Sequence, residues 1–147
     1  MNKEIVEISD SEYEQIIKLW ELSVRATHNF LLEEDIVYYK STANRCLNSV
    51  NLYAVKDSRN KILAFMGTSE DKIEMLFVSP NEMRKGVGTL LIKYAVNTLK
   101  IKKVDVNEQN EQAAKFYQKM GFYVINRSER DNEGKPYPIL HLALKEQ

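Results

Sequence analysis

The 147-residue chain has little cysteine, proline or glycine, and no excess of charge of either sign. Its one cysteine, Cys46, cannot form an internal disulfide, which fits a reducing compartment. Twenty-one basic residues balance twenty-one acidic ones, so nothing indicates nonspecific binding to nucleic acid. No apolar run approaches the roughly 20 residues of a membrane-spanning helix, and the first residues lack the apolar core of a signal peptide. We therefore expect a cytoplasmic protein that binds neither nucleic acid nor membrane.

The spacing of apolar residues alternates between the periods of strands and helices along the chain. We expect one α/β domain over residues 1–147, because the length suits a single core and no linker or repeat interrupts the pattern. Ser9 and Glu12 have the spacing of a capping box before the first helix. Between residues 73 and 78 nearly every side chain is apolar, which predicts a central strand buried on both faces. Predicted strands lie at residues 3–8, 52–56, 62–68, 73–78, 103–106, 122–126 and 139–144, and helices begin after residue 12 and near residues 33, 87 and 109.

The loop between the strand ending at residue 78 and the next helix has the composition of a phosphate site. Gly86 and Gly88 lack side chains that would keep a diphosphate away from the backbone, and Arg84 and Lys85 add positive charge. Backbone amides at a helix start are unpaired, and the helix dipole there favours an anion. The loop therefore predicts a site for a phosphate or diphosphate.

Two other phosphate loops are excluded by spacing. A Walker loop needs Gly-Lys-Ser/Thr after a longer spacer, and a dinucleotide fingerprint needs a third glycine where Leu91 stands. The two glycines also suit a helix entry that requires close packing. The loop alone leaves the packing role and the phosphate site equally open.

Two stretches resemble the signature motifs of the GCN5-related N-acetyltransferases, the GNAT family. Residues 86–88, Gly-Val-Gly, are similar to motif A, which binds the pyrophosphate of CoA in that family. Residues 107–122 are similar to motif B, which has Asn, then Ala, then Phe/Leu-Tyr, then Gly-Phe. Met83 departs from motif A, because it stands where the family usually has Arg or Gln. The order of elements matches the family along nearly the whole chain, and the last third is especially similar to small bacterial YjaB-like members.

The resemblance implies a GNAT fold, with a mixed, mostly antiparallel sheet of six or seven strands flanked by about four helices. It implies direct transfer of an acetyl group from acetyl-CoA to a primary amine of a small molecule or of a peptide or protein N-terminus. In this family a strand pairs with the pantetheine arm, and one of its backbone amides faces the thioester carbonyl. No His/Cys/Asp cluster has metal-ligand spacing, so no metal is expected. The CoA-binding residues implied are Leu76, Phe77, Val78, Arg84, Lys85, Gly86, Val87, Gly88, Thr89 and Asn110.

Tyr117 is the general acid that the resemblance implies, because the family usually places a tyrosine of motif B beside the sulfur. A phenol and a thiol have ordinary pKa values of about 10 and 8.5, so proton transfer to the departing thiolate needs only modest tuning. The alternative is that Phe116 and Tyr117 are core aromatic residues. Asn110 suits a helix cap, and the family uses the matching side chain to contact CoA.

Three residues are candidates for the base that removes a proton from the amine. Asp105 lies where the ribosomal-protein alanine acetyltransferases carry a catalytic glutamate. Glu74 lies mid-strand among apolar residues, where a carboxylate is unfavourable unless it faces a cleft or a partner. His28 precedes a loop that lines the acceptor pocket in this family. A paired or edge-exposed carboxylate explains Asp105 and Glu74 equally, and a structural role explains His28.

The acceptor amine is not defined by the sequence, since the segments that would read it vary most in such folds. Two other functions remain open. A CoA-binding sensor or interaction module would keep the phosphate loop without needing an acid such as Tyr117, and a structural homo-oligomer subunit would need neither. Both a monomer and a homodimer fit the sequence. His141 is expected only to belong to the last strand. The segments expected to contact the acceptor are residues 20–30, Tyr38, Tyr39 and residues 137–141.

Overall fold

A computed structural model of the chain describes residues 3–146. Seven strands form one sheet in the order β1-β2-β3-β4-β5-β7-β6. All neighbouring pairs are antiparallel except β4 and β5, which run parallel. The mixed, mostly antiparallel sheet with four α-helices confirms the predicted fold class. The elements are β1 Glu4–Glu7, α1 Tyr13–Thr27, α2 Glu33–Cys46, β2 Asn51–Lys56, β3 Ile62–Ser69, β4 Lys72–Val78, α3 Val87–Asn97, β5 Lys103–Asn107, α4 Glu111–Lys119, β6 Phe122–Ser128 and β7 Ile139–Leu144.

The helices cover the sheet in two pairs, one on each face. Helix α1 packs over β3 and β4 and α2 packs against α1, through a cluster that contains Ile16, Trp20 and Phe65. Helices α3 and α4 cover the other face, where Leu91 and Tyr117 belong to a second cluster. The apolar stripe of each helix therefore lies against the sheet, as its 3.6-residue spacing predicts.

Strands β4 and β5 are paired only at one end. Their ladder holds two pairs, Lys72 with Lys103 and Ile73 with Val104, and beyond Val104 strand β5 pairs only with β7. The gap beyond the last pair is called the β4–β5 opening below. It lies in the middle of the sheet, so it exposes backbone that a continuous sheet would bury.

The opening corrects one sequence-based expectation. Residues 73–78 were expected to form a strand buried on both faces, yet only Ile73 of these residues is buried. The remaining side chains are partly or fully exposed because β5 diverges and leaves them without a neighbour on that side. An apolar sequence indicates that a strand is buried in a core, but it does not indicate where that strand separates from its neighbour.

The predicted capping box is also wrong in detail. Ser9 makes no side-chain cap, and its hydroxyl lies 3.0 Å from that of Ser11. Glu12 instead accepts a hydrogen bond from Lys56 at 2.6 Å. A short 3-10 turn at residues 10–12 precedes α1, so the residues of the expected box fall outside the α-helix.

Candidate active site

The glycine loop leads into α3 through a left-handed residue. Gly86 has φ +84° and is the N-cap of α3, and a Cβ built there meets nothing within 4 Å. Glycine is favoured there by its backbone conformation, since other residues adopt that region at a cost of about 1–2 kcal/mol. The first hydrogen bond of the helix runs from the Leu90 amide to the Gly86 carbonyl at 3.1 Å. The amides of Val87, Gly88 and Thr89 therefore precede the helical ladder and can bind an anion.

Gly88 lies where the loop, β4 and α4 meet. A Cβ at Gly88 would lie 3.5 Å from the Phe116 ring and 3.7 Å from a methyl group of Val78. These are ordinary contact distances, so an alanine fits whereas a long side chain would enter the space beside β4. Lys85 lies 3.9 Å from Glu82 and is more than half exposed, so its charge remains available at the loop surface.

The edge of β4 that faces the opening carries unpaired backbone groups. The Ser79 amide donates to the Leu63 carbonyl at 2.9 Å. Phe77 on β4, two residues before Ser79, lies opposite Phe65 on β3. Because amide direction alternates along an antiparallel strand, the Phe77 amide also points to β3. The amides of Leu76 and Val78 then point into the opening, where they can pair with an extended ligand.

Tyr117 belongs to α4 and is buried in the core, and its hydroxyl is the only polar group of its side chain. Its side chain is 5% exposed, and its ring contacts Phe116 and Phe122 at centroid distances of 5.3 and 6.0 Å. Its hydroxyl makes no hydrogen bond to any residue in the described range 3–146, and the hydroxyl oxygen is not fully buried. Burial raises the pKa of Tyr117 above its usual value of 10. The phenol is therefore protonated at neutral pH and able to donate.

Asn110 caps the helix that carries Tyr117. Its side-chain oxygen accepts a hydrogen bond from the Ala113 amide at 3.3 Å, which satisfies one of the unpaired amides at the start of α4. Gly121 ends the same helix with φ +101°, as expected for a residue just beyond a helix C-terminus. The residues that cap the two ends of α4 thus fix where the helix begins and ends, and with it the position of Tyr117 along the sheet.

The carboxylates of Glu74 and Asp105 share a lysine. Lys72 donates to Asp105 at 2.9 Å and lies 3.7 Å from Glu74. Glu74 also accepts from the Ser69 hydroxyl at 3.0 Å, and Asp105 lies 2.8 Å from the His141 ring. Both carboxylates are paired, and each follows the last β4–β5 pair directly, Glu74 on β4 and Asp105 on β5.

His28 is a neutral histidine at the end of α1. Burial lowers the pKa of His28 to about 4. Thr27 donates its only hydroxyl proton to the Ser23 carbonyl at 2.8 Å, so it must accept from His28 Nδ1 at 2.8 Å. The other ring nitrogen, Nε2, therefore carries a lone pair. The His28 ring contacts Phe30 and Phe77 at centroid distances of 5.4 and 6.4 Å, which links the α1–α2 loop to β4.

A row of rings continues from His28 to the loop between β6 and β7. Phe30 lies 5.9 Å from Tyr137, and Tyr137 lies 6.5 Å from Tyr39, measured between ring centroids. The Tyr137 hydroxyl donates to Asp35 in the first turn of α2. The segments that were expected to contact the acceptor, around Phe30, Tyr39 and Tyr137, thus lie together.

Sequence reasoning missed the partners of His141. The β5–β7 register sets Asp105 opposite His141, and the other ring nitrogen of His141 lies 2.7 Å from the Ser128 hydroxyl. These residues are far apart in the chain, and only the strand order β5-β7-β6 brings them side by side. The alternation of polar and apolar side chains in these strands was visible in the sequence, but the pairing of the strands was not.

Within residues 3–146 no group of three or more His, Cys, Asp or Glu side chains is arranged to hold a metal ion. The same residues contain no helix with the length and apolarity required to cross a membrane. Cys46 is half-buried at the end of α2.

Comparison with known proteins gives consistent matches over nearly the whole chain. The family model described as "Acetyltransferase (GNAT) domain" matches residues 9–138. The peptidyl-lysine N-acetyltransferase YjaB of Escherichia coli is 39% identical over 132 residues, which cover 90% of both chains. The solution structure of the apo form of that protein has a TM-score of 0.92 at 36% identity and full coverage of both chains. PaiA N-acetyltransferase from Thermoplasma acidophilum, solved in complex with coenzyme A, shares the fold with a TM-score of 0.73 at 20% identity, over 96% and 98% of the two chains.

Proposed function

The chain belongs to the GNAT family of acetyltransferases, and we propose that it transfers the acetyl group of acetyl-CoA directly to the side-chain amine of a peptidyl lysine. The resemblance had implied a primary amine of a small molecule or of a peptide or protein N-terminus, and the sequence left the identity of the acceptor open. Its relatives named as peptidyl-lysine N-acetyltransferases support a lysine instead. We further propose that the protein acts in the cytoplasm as a monomer or homodimer.

The β4–β5 opening is the observation that carries the proposal. It offers the Leu76 and Val78 amides to one side of an extended ligand, and it lies beside the unpaired amides at the start of α3. A pantetheine arm can pair with β4 as an added strand, while the pyrophosphate binds the loop at Gly86 and Gly88. The Arg84 and Lys85 side chains add charge near that loop.

Acetyl transfer needs a donor for the thioester oxygen and a proton for the departing thiolate. A β4 amide that points into the opening can donate to the carbonyl oxygen. The amine attacks the carbonyl carbon, a C–N bond forms, the C–S bond breaks, and the Tyr117 hydroxyl protonates the thiolate. The burial that raises the pKa of Tyr117 would also favour the neutral thiol over the thiolate, so the transfer remains feasible in the same surroundings.

The candidate bases differ in what the geometry lets them do. His28 has a pKa lowered to about 4, so it binds a proton weakly, and its Nε2 lone pair suits the positioning of an amine. Glu74 is bonded to Ser69 and lies near Lys72. Asp105, next to the opening, lies in the cluster that is best placed to take the proton.

The proposal is tested by incubating the protein with acetyl-CoA and a peptide that carries both a free N-terminus and an internal lysine. We expect CoA release, with the acetyl group mapped to the lysine by tandem mass spectrometry. Acetylation of the N-terminus, or of a polyamine offered in parallel, would leave an acetyltransferase with a different acceptor. CoA binding without turnover of any amine would favour the non-catalytic sensor.

A further inference from the structure

Three polar side chains form a continuous hydrogen-bonded chain across β5, β7 and β6. His141 Nδ1 lies 2.8 Å from Asp105 Oδ1, and His141 Nε2 lies 2.7 Å from Ser128 Oγ. Lys72 donates to the second oxygen of Asp105 at 2.9 Å. A serine, a histidine and an aspartate bonded in this order form an arrangement in which the imidazole removes a proton from the neighbouring hydroxyl.

This polar chain lies beside the β4–β5 opening, on the face of the sheet that α3 and α4 do not cover. Val104 and Val106 belong to the core cluster beneath those helices, so the alternation of side chains directs Asp105 to the opposite face. Asp105 is also the first residue of β5 beyond the last pair with β4. The side chains of Asp105 and His141 are 23% and 27% exposed, so a substrate on this face can reach the cluster.

The partners of His141 determine which ring nitrogen carries its proton. A carboxylate only accepts hydrogen bonds, so Nδ1 donates to Asp105, and in the neutral ring Nε2 then keeps a lone pair. The Ser128 hydroxyl then donates to Nε2, which leaves the serine oxygen free to accept from a substrate. Asp105 accepts from both His141 and Lys72 through different oxygens. Both carboxylate oxygens of Asp105 therefore already accept a hydrogen bond, whereas Nε2 of the neutral His141 ring can still bind one proton.

The charged groups that face His141 come from two strands. Asp105 lies on β5 and Lys72 and Glu74 on β4, while Ser128 is the neutral contribution of β6. The hydrogen bond to Asp105 raises the pKa of Lys72, so the lysine stays charged at neutral pH.

We propose that His141 is the base of the acetyl transfer, with Asp105 as its positioning residue and the Ser128 hydroxyl as the group that relays the proton; this rests on the proposed function. The acceptor ammonium gives one proton to Ser128 Oγ, whose own proton moves to His141 Nε2. The neutral amine then forms the C–N bond as the C–S bond breaks and Tyr117 protonates the thiolate. The second amine proton leaves to solvent, from which Tyr117 regains its proton, and His141 also releases its proton to solvent. One proton is released for each acetyl group transferred.

The test compares the kinetics of His141→Gln and Ser128→Ala with those of the wild type from pH 7 to pH 10, with acetyl-CoA varied at a saturating concentration of a lysine peptide. Ser69→Ala is the matched control, because it removes a hydroxyl that is bonded to Glu74 at 3.0 Å. At neutral pH we expect His141→Gln to lower kcat by about 10²–10⁴-fold, with an unchanged KM for acetyl-CoA. The defect should shrink as the pH approaches the lysine pKa of about 10.4, because the substrate then arrives deprotonated.

Two results beyond the rates separate a catalytic from a structural role. Added imidazole should restore part of the activity of His141→Ala, and nitrogen NMR should show the Nδ1–H tautomer of His141 in the wild type. A His141→Gln rate equal to wild type, or a defect that is constant across pH, would overturn the proposal. If that variant does not fold, Ser128→Ala carries the test, and a rate equal to that of Ser69→Ala overturns the relay. A wild type that acetylates no amine would instead refute the proposed function.

Discussion

Ile73 and Val104 form the last pair between β4 and β5, and every later residue of β4 lacks a partner on that side. The side of β4 that faces β3 is paired through Val78, apart from a bulge at Glu74. One strand therefore presents a bonded edge to β3 and a free edge to the β4–β5 opening. This arrangement gives the middle of the sheet a free edge, with which an extended ligand could pair.

CoA should stabilise the protein against heat, and the loop at Gly88 should be required for it. A ligand that binds only the native state raises the unfolding free energy by about 2.7 kcal/mol at 100 times its Kd, which corresponds to roughly 5–10 °C in a chain of this size. Gly88→Glu should abolish the shift, because it adds bulk and negative charge beside β4 and the helix start. Differential scanning fluorimetry with millimolar CoA measures both effects.

Gly88→Ala is the control for that experiment. Its Cβ would meet Phe116 and Val78 at ordinary contact distances, so the variant should fold and retain most of the CoA shift. Circular dichroism should show that Gly88→Glu is also folded without ligand. Equal CoA shifts in the glutamate variant and the wild type would remove the pyrophosphate from this loop.

Tyr117→Phe should lower turnover by about 10²–10⁴-fold while acetyl-CoA binding changes little, although a water that replaces the phenol would reduce the loss. The hydroxyl has no hydrogen-bond partner among residues 3–146, so its removal should also leave stability nearly unchanged. Tyr53→Phe is the matched control, because Tyr53 is buried in β2 against Tyr94, away from the opening. Steady-state kinetics on a lysine peptide measure the difference, and equal rates in both variants would return Tyr117 to a packing role.

Native stability should fall between pH 6.5 and pH 4 because of His28. Burial lowers the pKa of His28 from 6.5 to about 4, so within that window the unfolded chain binds a proton that the native state does not. The contribution of His28 is complete above pH 6.5 and decreases as the pH falls, by about 1–3 kcal/mol for this partly buried ring. His28→Phe keeps the ring contacts and should flatten this part of the profile. Urea unfolding at several pH values measures it, and identical slopes in both proteins would show that His28 is protonated equally in the two states.

The fold was predictable from the sequence because each of its elements has a strong local signal. The stripe at Leu91 and Ala95 marks α3, and Gly121 marks the end of α4. The strand at residues 73–78 was predicted correctly in position and wrongly in burial, since its exposure depends on the divergence of a strand 30 residues further along the chain.

The candidate site was predictable only where it is contiguous in the chain. Gly86 and Gly88 lie in one loop, so their spacing could suggest a phosphate site, although a packing role fitted the loop equally. The cluster of Asp105, His141 and Ser128 depends on the order of β5, β7 and β6, which no local pattern specifies. For the same reason the sequence suggested Asp105 as a single carboxylate and gave no hint of its histidine partner.

Acetyl-CoA bound in the β4–β5 opening is the premise of the proposed acetyl transfer, and backbone amide exchange of β4 tests it most directly. The Leu76 and Val78 amides point into the opening, whereas the Phe77 amide points to β3 and serves as an internal control. On addition of CoA, hydrogen exchange followed by NMR should slow at Leu76 or Val78 or both, and should stay the same at Phe77. Unchanged exchange at both Leu76 and Val78 under saturating CoA would contradict binding in the opening.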